Sequence, residues 1–482
     1  MSDFFYRFRP ASYLLDGFHE LERQEIYFPT LRELNDPLEG YKDLIWRGDR
    51  IVWRNLFKHY LLCLMQSVAL VGVAGRDFTT DMSANLVYQT ESDLPLAPVR
   101  DVYTKSCTAF FGHPAAEALL TTLSREGKAI RRDELTFYLR LVHMSALANV
   151  LKLLGEHGLN IVTSIEEVAK HAEQSLSTVP EILRVHAFAD DQAEVLFFIN
   201  KNLSQQMALI NELIQPITED HRAWVFLVRD FASHYVEALE RLMYPDWHAA
   251  CFVTDPTSAA MWGHYAAGHQ GMCLKFRAKP NSAGVPSLDL NRATSWRGDG
   301  SAGYSYVPHA FEAIDYTSAF PQIDFFESLG RLPIQKLRFW YDGHSGERSE
   351  IGRRVLGGDE KWREEYWQRF VASYRTKLPH WAYEDEHRIV FYSNLADLTA
   401  KESRKPTYRF EDLAGIVFGL KTSSEDKIAA MRIIERKCVA IGRTDFEFWQ
   451  THYAHHSRQI ELAQLRLIRI SPGGDPGSVA PS

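Results

Sequence analysis

The spacing of hydrophobic and polar positions changes character twice along the chain. Residues 4–9 read as a strand, 11–23 as a short helix and 26–30 as a second strand. A turn follows at Leu34-Asn35-Asp36-Pro37, where Asn and Asp can bond the local backbone and Pro fixes φ. From about residue 46 to 243 apolar residues recur at helical spacing, over 133–154, 164–177, 192–214 and 219–242. Ser164-Ile165-Glu166-Glu167 matches a capping box. No repeat of fixed period appears, which disfavours a solenoid. After residue 246 strand texture returns, over 249–254, 271–276, 311–316, 387–393 and 413–418, with helices expected over 358–374 and 423–437. Residues 472–482, PGGDPGSVAPS, read as a disordered tail. The expectation is an α+β protein. A mixed or antiparallel sheet domain is built from 1–45 and 246–470, interrupted by an all-helical insertion over 46–245, with 471–482 as tail.

Residues 254–276 condense a helix start, a helix stop and a strand. Thr254 or Asp255 can cap the first amides, Pro256 suits the first helical position, and Gly268 suits the residue just past the end. Met261, Trp262, His264 and Tyr265 share one broad helix face. A fully buried face would not usually carry both a His and a Tyr hydroxyl, because each polar atom then needs a partner. The face is therefore expected to belong to a site.

A second polar constellation follows at Trp381-Ala382-Tyr383-Glu384-Asp385-Glu386-His387-Arg388. In an extended strand Glu384, Glu386 and Arg388 share one face, while Tyr383, Asp385, His387, Ile389 and Phe391 share the other. Placed in a cleft, such a row can bind ribose hydroxyls and stabilise a developing cation. One Glu stays ionised through Arg388 while its neighbour has a raised pKa. Spacing alone favours the plainer reading, a solvated strand face with a cross-strand ion pair. Likewise, Trp262 reads first as packing and Cys273 as inert core. His264 reads either as a support for Glu384 or Asn35 or as a core histidine. No metal site is expected, because no HxxxH or HExxH spacing occurs, and no GxSxG elbow or GK[ST] phosphate loop is present.

Composition narrows the classes. At 45% hydrophobic and 24% charged residues a packed core is feasible. A net charge of -8 argues against a generic nucleic-acid binder. Five scattered cysteines without a CxxC pair fit a reducing cytoplasm. The N-terminus lacks a signal-peptide pattern, and the longest apolar run, 60–75, is short for a bilayer span and reads as a buried helix.

Four motifs stand in order: Tyr6-Arg7-Phe8-Arg9, Asn35-Asp36-Pro37 with Glu39, Met261-Trp262-Gly263-His264-Tyr265, and the WxYExExR segment. Over residues 1–45 and 246–460 they resemble a bacterial family known only as a domain of unknown function. The order of elements in turn resembles the ADP-ribosyltransferase fold. That resemblance implies a first-strand Arg gripping NAD (Arg7 or Arg9), a second-strand residue lining the nicotinamide pocket (Tyr27 or Thr30), and a late-strand Glu acting on the ribose (Glu386, with Glu384). His264 and Tyr265 join the expected catalytic set, and Asn35, Asp36, Trp262 and Arg388 the expected cofactor contacts. The sequence departs from that fold's pattern in lacking a Ser-Thr-Ser on the second strand, and the MWGHY helix has no counterpart there. The implied function is an NAD-dependent ADP-ribosyltransferase-like enzyme or NAD glycohydrolase of toxin, stress or phage-defence type. Its NAD would be a substrate and its acceptor a macromolecule or water. A non-catalytic nucleotide- or peptide-sensing module and a metal-dependent nucleic-acid enzyme remain as alternatives. No membrane partner is expected; self-association into a homo-oligomer is left open.

Overall fold

Phe4–Arg9 (β1) forms a strand because bulky side chains alternate between two faces that are both covered. Phe5 enters the larger core, with Leu274, Ile389 and Phe391. Phe8 enters a smaller core on the other face, with Val253, Trp262 and Cys273. The structure, a computed structural model, describes residues 3–470 except 95, 160–164, 186–189, 215, 300, 318 and 394–396. The chain divides into two compact units: Met1–Tyr41, Pro245–Phe320 and Ala372–Ser482, and Lys42–Tyr244 with Pro321–Val371.

The first unit is α+β. Besides several other two-residue strands, its strands after β1 include Trp247–Val253 (β2), Met272–Arg277 (β3), Pro286–Trp296 (β4), Ala302–Ala310 (β5), Glu312–Ala313 (β6), Glu386–Tyr392 (β7), Leu413–Phe418 (β8), Glu447–Ala454 (β9) and Gln459–Gln464 (β10). Eight of them make one mixed sheet in the order β10-β9-β8-β3-β1-β2-β7-β6. β8 and β9 are parallel, joined through the helix Ser424–Ile441. Ser423 caps that helix by accepting from Asp426 N at 3.0 Å, Gly442 ends it at φ 69°, and Ala430, Ile434 and Cys438 are its buried residues. The other neighbours in the sheet are antiparallel. β4 and β5 pair as a long hairpin in a second sheet.

One joint in the large sheet differs from the rest. β1 pairs with β3 along its whole length, Phe4 opposite Arg277 to Arg9 opposite Met272. β2 pairs with β7 over seven positions, Glu386 opposite Val253 to Tyr392 opposite Trp247. Between β1 and β2 the ladder has a single rung, Tyr6 opposite Val253. The sheet is thus two ladders hinged at one residue pair.

Local structure departs from the sequence expectation at several points. The helix over 11–23 is broken into Ala11–Leu15 and Glu20–Arg23, with left-handed His19 and Gln24 flanking the second piece. Residues 26–30 are not a strand. Ile26 N and Phe28 N donate to Pro406 O (3.0 Å) and Arg404 O (2.9 Å), but the next N–H on that side, Thr30, is taken by Glu33 Oε2 at 2.7 Å and the ladder stops. The MWGHY helix spans only Ala259–Tyr265 and is capped by Ser258; Asp255 instead folds a turn onto Thr257 N at 2.9 Å. Gly271 must be glycine, since a Cβ there would collide with the Arg9 carbonyl. Ser164 of the expected capping box and the tail 472–482 lie outside the described residues.

The second unit is mainly helical. Asp49 starts its helix Arg50–Ala74 by accepting from Ile51 N (3.0 Å) and Val52 N (3.3 Å). The helix expected over 219–242 is continuous but irregular, with a π-helical turn at Phe226–Asp230 between Glu219–Val225 and Phe231–Ala238 and a 3-10 end at Leu239–Leu242. This unit also takes 321–371, which the sequence reading placed in the split core. The strand Gln322–Asp324 pairs there with Asp43–Trp46, and Asn55 holds the carbonyls of Trp340 and Asp342, both at 3.0 Å. Arg50–Asp77 and Arg132–Glu156 are long and apolar enough to cross a bilayer by length and composition, and most of each apolar window is buried.

Candidate functional site

Where β1 and β2 part, their facing edges lose the ladder, and backbone polar groups on an unpaired edge need water or a ligand. A cavity of about 460 Å³ lies there, walled by Tyr6–Arg9 and Ala249–Val253. The opening lets side chains from both sheet faces line one space, so Arg7 and Arg9 border it together with Glu384, Glu386 and Tyr265.

The acidic side is a buried network. Glu386, first residue of β7, accepts from Arg388 Nε on Oε1 (3.0 Å), and from Arg388 Nη2 (2.9 Å) and Lys377 Nζ (3.1 Å) on Oε2. Its backbone N–H donates to the Tyr316 hydroxyl at 2.8 Å. Glu384 is not on the strand. It ends the 3-10 turn Pro379–Glu384, and Asp385 follows in a left-handed conformation, φ 43°. That kink, rather than strand alternation, brings Glu384 beside Glu386. Lys377 Nζ bonds Glu384 Oε2 at 2.6 Å, and the Tyr265 hydroxyl donates to Oε1 at 2.6 Å. Asn35 donates to the same hydroxyl at 2.7 Å. Glu39 completes the network, accepting from Arg388 Nη1 at 2.6 Å and lying 3.8 Å from Lys377 Nζ. Three carboxylates thus share two cations, all of them nearly inaccessible to solvent, with one net negative charge.

Titration follows from these contacts. Burial alone would raise the Glu386 pKa, but Arg388 and Lys377 outweigh it and hold it at about 2. Burial works against the Lys377 cation, and Glu386, Glu384 and Glu39 together reverse it and raise its pKa. Tyr265 is pushed far up, by burial first and then by Glu384, so its proton stays on the phenol and donates to that carboxylate. A carboxylate has about four lone-pair sites. Glu386 spends three on Arg388 and Lys377, whereas Glu384 spends two. Glu384 is therefore the carboxylate with more capacity left toward the cavity.

The basic side is different. Arg9 pairs with buried Glu20 through Nε (2.9 Å to Oε2) and Nη2, and its guanidinium lies 4.8 Å from the Tyr13 ring centre. Arg7 is itself buried. Its Nη2 donates to the Tyr27 carbonyl at 2.8 Å, while Nη1 has no hydrogen-bond partner and stands 3.5 Å from Glu20 Oε2. Burial, then the neighbouring Arg9, draws the Arg7 pKa down to about 10. Two guanidiniums on one carboxylate leave an excess positive charge beside the cavity, with a buried N–H unused.

The remaining expected site residues fall in several places. Tyr27 borders the cavity, but its hydroxyl donates to Glu33, at 2.8 and 3.0 Å to the two oxygens. Thr30 turns away from the cavity lining and caps a turn with Glu33 through its N (2.7 Å) and Oγ1 (2.9 Å). Asn35 borders the cavity; Asp36 does not, and its Oδ1 accepts from Leu38 N at 2.9 Å within the turn. Trp262 is closed into the smaller core, its indole N–H donating to the Pro256 carbonyl at 2.7 Å, so no ring face is offered to a ligand. Arg388 is fully buried behind Glu386 and holds carboxylates, not a ligand. His264 is exposed, with its ring 6.4 Å from those of Tyr265 and Tyr383. Lys377, at the centre of the network, escaped the sequence reading, as did the role of Glu39 at the end of the NDP turn. Lys377 stands outside every motif. Glu39 was legible as part of one.

Comparison with protein-family models, with curated proteins and with solved structures finds no match to this chain.

Proposed function

We propose that the cavity binds NAD or a closely related nucleotide and breaks its nicotinamide–ribose bond, in an ADP-ribosyltransferase-like split sheet. One observation carries the reading. A buried guanidinium with an unused N–H (Arg7 Nη1) and a carboxylate with spare acceptor capacity (Glu384) border the same cavity. Such a pair suits a ligand with an anionic phosphate and ribose hydroxyls. Tyr6, Tyr13 and Phe18 supply ring faces for its flat bases.

In the reaction the C1′–N bond breaks, its electron pair leaves with nicotinamide, and water or an acceptor nucleophile adds to C1′ and loses a proton. The developing positive charge on the ribose is stabilised by the net negative carboxylate network. The contacts support a division of roles within that network. Glu384 is the carboxylate that touches the ribose, Tyr265 orients it, and Glu386, gripped by Arg388 and Lys377, is a positioning residue. A metal-dependent nucleic-acid enzyme is disfavoured, because the Lys377 ammonium fills the point among the carboxylates where a divalent ion would sit. The test is nicotinamide release from NAD, run beside a thermal-shift titration with NAD. Wild type is expected to show both. Binding without release supports a sensing module instead, and neither signal overturns the proposal.

A further inference from the structure

The helix Asp190–Ile214 of the second unit leaves most of its described apolar side chains exposed. Asn200, Lys201, Ser204 and Gln205 border an open cavity of about 530 Å³ beside residues of Arg132–Glu156, Phe197 packs inward, and Lys201 Nζ donates to Asp133 at 2.9 Å. The apolar side faces solvent. Val195, Leu196, Phe198, Ile199, Leu203, Met207, Leu209, Ile210, Leu213 and Ile214 are each between 41 and 84% exposed. A helix in a monomer normally presents the opposite faces.

The outer stripe has a register. Leu196, Ile199, Leu203, Ile210 and Leu213 fall at the two apolar positions of a seven-residue repeat, and Gln206 is the one polar residue in that series. The positions flanking the seam are Asn200, Asn202, Met207, Leu209 and Ile214, none of them charged. Two copies meeting here would therefore bring no like charges together. At roughly 100 Å² of exposed area per side chain, the stripe offers on the order of 1,000 Å², above the ~300–600 Å² of the largest patch on a typical monomer. One side of a standard protein interface covers about 800 Å². A bilayer suits the helix less well, since interfacial helices carry Lys and Arg on the polar side, and from 195 to 214 the only such residue is Lys201, already paired with Asp133.

We propose that this stripe is a self-association surface, through which the helix pairs with its counterpart in a second copy of the chain. The contact is isologous, each copy giving the same residues.

The test is light scattering on the full chain across a concentration series. Wild type is expected at twice the 55.4 kDa chain mass, falling toward the monomer on dilution. Leu203 lies near the middle of the stripe. Leu203→Glu and Leu203→Lys should each be monomeric, with unchanged far-UV circular dichroism, and mixing the two should restore the dimer through opposite charges. If either variant fails to fold, Leu203→Asn serves in its place, with weakened dimerisation as the expected result. The proposal is overturned by a wild type that stays monomeric at every concentration, including one that floats with phosphatidylcholine–phosphatidylglycerol vesicles. Folded charge variants that remain dimeric singly, or that stay monomeric when mixed, overturn it too.

Discussion

The ammonium of Lys377 stands 2.6 Å from Glu384 and 3.1 Å from Glu386, so one buried cation ties together two carboxylates that sequence alone places on a common strand face. Glu384 in fact reaches Lys377 from a 3-10 turn, past a left-handed Asp385, and only Glu386 belongs to the strand. The two acids therefore differ in surroundings, and their roles separate. Glu386 is gripped, and Glu384 is held at two points with room for a third.

Removing that cation should be costly. Lys377→Met leaves three buried carboxylates with one cation, Arg388, which pairs with Glu39 and Glu386. Breaking a buried ion pair from one side costs roughly 3–5 kcal/mol. Urea denaturation should show a loss of that size. A loss below about 1 kcal/mol would mean that water reaches the network.

The two glutamates should respond oppositely to the same conservative change. Glu386→Gln removes one of the two carboxylate partners of Arg388 and one of the three carboxylates around Lys377, so the main effect is a lower melting temperature. Glu384→Gln keeps the Tyr265 hydrogen bond and costs less stability. Nicotinamide release should nevertheless fall by about 10²–10³, as when a preorganised charge is lost from a transition state. The reverse pattern, a stable but inactive Glu386→Gln, would return the catalytic role to Glu386.

Stability should also fall in acid through the same residue. Glu386 titrates at about 2 in the folded chain against an ordinary value of 4.5. Its contribution is present in full above 4.5 and is lost as pH drops from there toward 2, because the unfolded chain binds the proton first. Urea midpoints at pH 7, 4.5 and 3 should fall over the first interval through buried histidines such as His59, His143 and His309, whose pKa burial lowers to about 4, and over the second interval through Glu386 as well. In Glu386→Gln the second drop should be shallower.

Much of this geometry was legible where chemistry and periodicity coincide. β1 alternates two covered faces, and the helix Ser424–Ile441 announces itself by Ser423 and Gly442. The four polar motifs could be singled out because their residues are unusual for their local period. Errors arose where a local rule met tertiary context. His264 was grouped with Met261, Trp262 and Tyr265, yet it lies roughly 160° around the helix from Trp262, and only the other three face inward. Residues 26–30 have strand composition, but the Thr30 N–H that would continue the ladder goes to Glu33. Lys377 gave no signal, because a lone lysine acquires meaning only from the carboxylates that the fold gathers around it. The stretch 321–371 packs with the helical unit through Trp340, whose ring lies 4.7 Å from that of His59, a choice made by long-range burial that local spacing does not encode.

Arg7 offers the sharpest separation of binding from stability. Its guanidinium is buried with one nitrogen lacking a hydrogen-bond partner, and its charge is already disfavoured there, with a pKa of about 10. A group held this way costs the folded state on the order of 1–3 kcal/mol of desolvation unless something pairs with it. Arg7→Met keeps most of the side-chain volume and leaves Glu20 its bidentate Arg9. Urea denaturation of the ligand-free protein should therefore show stability unchanged within about 1 kcal/mol, or raised. NAD affinity should move the other way. Losing a charge-assisted contact to a phosphate costs about 1.5–3 kcal/mol, or roughly ten- to more than a hundredfold in Kd. Isothermal titration of wild type and Arg7→Met with NAD and with inorganic pyrophosphate reads this directly. A variant that loses stability while binding NAD as well as wild type would show that Arg7 serves the core and not the cavity.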